Sequence, residues 1–220
     1  MNDQIKATPE QAETSSPTSL EEAMRSLPDD RARGLQLASL AGTHALVLLV
    51  AFSLFAAADS WRLLSGLGMA SALALATGAL AGITTTTLIH EWFHYLGARL
   101  SGGAYGIPRK KGLFVYDWNF AQNNTDQFFF MSIAGSVGGA LSLVLLWLPL
   151  PADTLGRAAV HGGAVAGFVF AAVVEWPVLR RVRFGGDPLT ALSGIDQRVL
   201  GLAFLAASFA GFGTLLLLRF

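Results

Sequence analysis

The chain has 220 residues, of which 53% are hydrophobic and only 14% charged, and its formal net charge is zero. A soluble domain carries about 25% charged residues, so the composition reads as a membrane protein with little soluble mass, and the charge balance gives no reason to expect a nucleic-acid partner. Cysteine is absent, which excludes disulfides and thiolate-held metal and leaves His, Asp and Glu as the only strong metal ligands.

Residues 1–33 are polar, with a Thr/Ser/Pro-rich stretch at Thr14–Ser19, and read as a disordered tail. Ser19 and Glu22 have capping-box spacing ahead of a possible short helix at Leu20–Leu27. No short apolar stretch stands at Met1, so a cleaved signal peptide is not expected. Residues 34–220 read as one multi-span membrane domain.

Five apolar segments follow, roughly Leu35–Ala58, Leu63–Leu100, Phe128–Leu150, Ala158–Leu179 and Val199–Leu218. A spanning helix needs about 20 residues, so the expected fold is an all-α membrane protein of about five transmembrane helices. The second segment is longer than a span requires, and Ser101-Gly102-Gly103 offers it a stop. Basic residues orient the set. Arg25, Arg31 and Arg33 precede the first segment; Arg99, Arg109, Lys110 and Lys111 follow the second; Arg180, Arg181, Arg183 and Arg198 separate the fourth from the fifth. All fall on one side, and only Arg62, Arg157 and Arg219 fall on the other. By the positive-inside rule the N-terminus is expected to be cytoplasmic, in a multi-pass protein of the cell membrane.

Between the second and third segments, Ala104–Phe120 is too polar to span. It reads as a small membrane-associated β segment, with Tyr105, Phe114, Tyr116, Trp118 and Phe120 suited to the interface. An edge strand here has the chemistry to pair with an extended peptide, and an interfacial loop without substrate contact fits as well.

His90-Glu91-Trp92-Phe93-His94 closes the second segment. Residues i and i+4 share one helix face, so His90 and His94 can grip one metal ion, and Glu91 can reach a water bound to it. A carboxylate and two imidazoles are costly in lipid and signal function there. A catalytic zinc commonly has a third protein ligand. Asp187, in Phe184-Gly185-Gly186-Asp187-Pro188, is the expected third ligand by depth and flexible flanks; Glu175, in Val174-Glu175-Trp176-Pro177, is the alternative, or a carboxylate that supports the site or pairs with Arg180 or Arg181. His44 and His161 stand alone and read as polar packing. Thr84–Thr87 are expected to bond their own helix backbone. Gly135-x-x-x-Gly139 and Gly163-x-x-x-Gly167 offer small faces for close helix packing.

Together these residues resemble the site-2 protease family of intramembrane zinc metalloproteases. His90-Glu91-x-x-His94 is similar to the family's zinc motif on a membrane helix. Ala134-Gly135-Ser136-Val137-Gly138-Gly139 resembles its Ala-Gly-Pro-x-x-Asn segment, with Ser136 in place of proline and Gly139 in place of asparagine. Gly186-Asp187-Pro188 resembles its Asp-Gly ligand motif, with Pro188 in place of glycine. The resemblance covers roughly residues 70–195. It implies zinc-assisted hydrolysis of a membrane-protein substrate, with His90, His94 and Asp187 on Zn²⁺, Glu91 as proton carrier, and residues around Val115 holding an unwound substrate. Three other classes compete: a degenerate relative that binds without cutting, a metal or ion transporter, and a non-haem iron oxygenase with two His and one carboxylate. The position of Glu91 directly after the first histidine favours hydrolysis.

Overall fold

The computed structural model describes residues 29–108, 110 and 112–219. The tail before Asp29, with its Ser19–Glu22 box, and the basic residues Arg25, Arg109 and Lys111 lie outside the described residues. Among the described residues, six helices and one two-stranded ribbon follow in order: α1 (Asp29–Ser65), α2 (Gly68–Leu100), β1 (Tyr105–Gly106), β2 (Asp117–Trp118), α3 (Thr125–Trp147), α4 (Leu155–Arg183), α5 (Pro188–Ser193) and α6 (Gln197–Arg219). Five of them are long and apolar enough to cross a membrane. The protein is therefore an all-α membrane protein, as the composition predicts. One boundary moves: Asp29–Arg33, expected in the tail, already belong to α1.

Local sequence sets the ends. Asn124 and Gln127 form a reciprocal capping box at the start of α3, and Thr154 caps α4 by accepting from the Arg157 amide. Helix α2 stops at Leu100, and Gly102 takes the left-handed conformation with φ of 66° that lets the chain turn away. Its 33 residues extend about 50 Å, well beyond the 30 Å hydrocarbon.

Helix α2 is the centre of the bundle and touches α1, α3 and α4, while α6 packs on α4. Close approach rests on glycine. A Cβ on Gly82 would run into the Val160 carbonyl, and one on Gly163 into the Ala79 carbonyl. These contacts lock α2 against α4, running in the same direction. The Gly163-x-x-x-Gly167 face thus packs as expected. Outside, large apolar side chains face where lipid would lie, as Phe209 and Leu217 do at 78% and 86% exposure.

The segment after α2 is pinned by polar contacts at both ends. Asn123 exchanges two hydrogen bonds with Ala104, of 2.6 and 2.7 Å, and Gln127 Nε2 donates to the Ser101 and Gly102 carbonyls. Between them the ribbon has one register, Tyr105 opposite Trp118 and Gly106 opposite Asp117. The expected β segment is present but only two residues long on each strand.

A candidate metal centre between three helices

His90 and His94 lie one turn apart on the buried face of α2, 4% and 7% exposed. Their Nε2 atoms are 2.9 Å apart. The third group is Glu175 on α4: its Oε1 lies 2.7 Å from His90 Nε2 and 3.2 Å from His94 Nε2. Asp187 is not there. It is exposed on the surface, where its Oδ2 accepts from the Thr190 amide at 2.8 Å and caps α5. That backbone bond holds its carboxyl below the usual range. The expectation that Asp187 joins the histidines is therefore corrected: the carboxylate that touches them is that of Glu175. Asp187 follows the end of α4, past the depth of the histidines, where it caps the short helix that begins at Pro188.

The arrangement fits a cation. His94 Nδ1 lies 3.0 Å from the Met131 carbonyl oxygen. A proton on Nδ1 donates to that oxygen and leaves Nε2 with its lone pair turned to the cluster, the orientation that a carbonyl behind the ring imposes on metal-binding histidines. Three electron-rich atoms then crowd within 3.2 Å of one another. One proton cannot satisfy all three contacts; a cation among them can. Ligands about 2.0–2.1 Å from a tetrahedral ion sit about 3.3 Å apart, close to the spacings seen. His90 Nδ1 and Glu175 Oε2 are also buried without a hydrogen-bond partner.

Glu91 is 8% exposed, and it offers a carboxylate oxygen that lies within 4.8 Å of the ligand nitrogens of both histidines. Two carboxylates thus approach the pair. Glu175 touches both Nε2 atoms directly, whereas Glu91 hydrogen-bonds neither imidazole. Pro177 lies two residues beyond Glu175 inside α4. It lacks the amide that would close the local helical bond and loosens the turn that carries the carboxylate.

Helix α3 supplies the floor. A Cβ on Gly135 would enter the His94 ring, and one on Gly138 the Phe93 ring. Gly135 thus leaves room for the His94 imidazole. Trp176 Nε1 donates to Ser136 Oγ at 3.2 Å and ties α4 to the same stretch.

A cavity of about 200 Å³ opens beside the cluster, lined by Glu91, His94, Glu175, Met131 and Ser132 and closed by Phe114, Tyr116, Trp118 and Phe120. An extended run turns alternate side chains the same way. The even-numbered aromatics face the cavity, and Val115 faces away. Val115 is fully buried against Leu40 and Tyr95, so its expected role in substrate contact is corrected to packing. Tyr116 is pushed far above its ordinary pKa by burial, with the Glu91 and Glu175 charges adding to it, and keeps its proton.

The remaining histidines are structural, as read from the sequence. His44 Nδ1 accepts from Trp92 Nε1 at 3.0 Å, and its Nε2 donates to the Gly112 carbonyl at 2.8 Å. His161 is fully buried, stacked on Trp147 and bonded to the Leu150 carbonyl. Thr85 bonds its own backbone at Ala81, whereas Thr86 accepts from Ser142 on α3.

Neither a protein-family model, nor a curated protein, nor a solved structure matches the chain.

Proposed function

We propose that the chain is an intramembrane zinc-dependent peptidase, of the kind that the site-2 protease resemblance implies, acting on membrane-embedded protein substrates. One observation carries the reading. Two imidazole Nε2 atoms and a carboxylate oxygen converge within 3.2 Å, and a second carboxylate on the motif helix lines the adjoining cavity.

His90, His94 and Glu175 would hold Zn²⁺. When bound, that ion supplies Lewis-acid polarisation of the scissile carbonyl and acidifies a water. The chain's residues do the rest. Glu91 accepts a proton from the attacking water as the water oxygen bonds to the carbonyl carbon. It then delivers that proton to the amide nitrogen as the carbon–nitrogen bond breaks. Met131 keeps His94 in one tautomer throughout. The aromatic wall of residues 114–120 limits bulk water around the reacting group. A cavity of about 200 Å³ admits little more than one extended residue, so a helical substrate must unwind locally to be cut. The C-terminal ends of α2, with Arg99, and of α4, with Arg180, Arg181 and Arg183, are the proposed cytoplasmic side, in the cell membrane.

Labelled casein in detergent is a suitable probe, because an unfolded chain needs no unwinding. Glu91→Gln is expected to lower its cleavage by about 10²–10⁴-fold with zinc content at the wild-type level. Cleavage near the wild-type rate would remove the mechanism.

A further inference from the structure

We propose that Tyr116 is a catalytic residue of this site: its hydroxyl donates a hydrogen bond to the scissile carbonyl oxygen as that oxygen becomes negative. The inference rests on the peptidase reading and adds to it the group that receives the developing charge.

Three observations carry it. The first is placement. Tyr116 lines the cavity together with Glu91, His94 and Glu175, and its ring centre lies 6.4 Å from that of His94. The second is an under-used donor. Tyr116 Oη donates to Met131 Sδ at 2.8 Å. A thioether is a weak acceptor, so the hydroxyl gains by exchanging it for an oxyanion. The third is rigidity. Val115 before it is fully buried, Trp118 packs edge-on at 6.4 Å, and Asp117 opens the paired strand β2. A donor held in advance costs little reorganisation when charge develops.

The helices that carry the cluster offer no such donor. Its ligands and base come from helix interiors, where backbone amides are committed to helical bonds and cannot form an oxyanion hole. A side chain can add to the polarisation that the ion would supply, and Tyr116 brings one from the loop. As the water oxygen bonds to carbon, the carbonyl π electrons move onto oxygen and meet the Tyr116 O–H. As the carbon–nitrogen bond breaks, those electrons re-form the carbonyl. Tyr116 keeps its proton throughout, and Glu91 carries the proton that moves from water to nitrogen.

The test compares two probes on the full-length protein in detergent, with binding read by calorimetry. A phosphinic pseudo-dipeptide presents a tetrahedral oxygen like that of the reacting carbon. A mercaptoacyl dipeptide offers sulfur and no such oxygen. Tyr116→Phe is expected to weaken the phosphinic probe by about 10²-fold, the scale of one oxyanion donor, and to leave the thiol probe and zinc content unchanged. Equal affinity of wild type and Tyr116→Phe for the phosphinic probe would overturn this role and leave the peptidase reading standing. Loss of discrimination in Ser132→Ala instead would overturn it too, by assigning the donor to the neighbouring hydroxyl. A wild-type protein that binds neither probe would overturn the site itself.

Discussion

Two buried polar clusters lie at different depths of the bundle, and they are built on opposite principles. At one end Asp59 accepts from Thr154 Oγ1 at 3.0 Å and pairs with Arg157 and Arg62, each at 3.4 Å. Arg157 also reaches Asp153 at 2.8 Å, and Arg219 donates to the Asp153 carbonyl. Acceptors there meet donors, and the three arginines that depart from the charge rule all have partners. In the other cluster, two imidazole Nε2 atoms and the Glu175 Oε1 crowd within 3.2 Å, two buried atoms have no partner, and a cavity adjoins. A closed cluster holds helices together. An open one leaves polar atoms unsatisfied and has the donor set to hold a cation.

Substitutions that break this contrast should do so unequally. His94→Ala is expected to have the largest effect, removing a ligand so that zinc binding and cleavage both fall to background. Next comes Gly135→Ala. Its methyl group would occupy the space of the His94 ring, so the ligand must tilt, and metal affinity should drop by about 10–100-fold, the scale of disturbed ligand support. Titration with a zinc chelator would read this. An unchanged affinity would mean that α3 does not shape the site. Asp59→Ala should have the smallest effect on function. It leaves Thr154 and Arg157 short of a partner and should cost about 1–3 kcal/mol, seen as a lower melting temperature, while zinc content stays at one per chain. Loss of zinc in that variant would mean that the two clusters are coupled.

Much of the bundle was legible in the sequence because each span is a continuous apolar run and each basic flank is local. The motif was legible for the same reason: four residues of helix put His90 beneath His94 whatever the tertiary structure. The carboxylate that meets the histidines was not local. Whether Glu175 or Asp187 reaches the histidines depends on how α4 slides along α2, and glycine contacts set that register. With Gly163 against Ala79 and the helices running in the same direction, Glu175 lies about 18 Å and His90 about 17 Å further along, at one depth. A rule in the sequence did point to it, since Glu175 is the only acidic residue in the fourth apolar segment and an intramembrane carboxylate is a functional candidate by default. Val115 was misread by parity. The β segment was expected, but which alternate residues face inward depended on packing against Leu40 and Tyr95. Tyr116, on the inward parity, carried no motif to mark it.

The central claim is that α4 completes the metal centre through Glu175. The most direct measurement is the zinc content of purified protein by mass spectrometry, with Glu175→Ala and Asp187→Ala compared with wild type after dialysis against a weak chelator. The account predicts one zinc per chain in wild type and in Asp187→Ala, and none retained in Glu175→Ala. Zinc retained in Glu175→Ala but lost in Asp187→Ala would contradict it and return the ligand to the loop after α4.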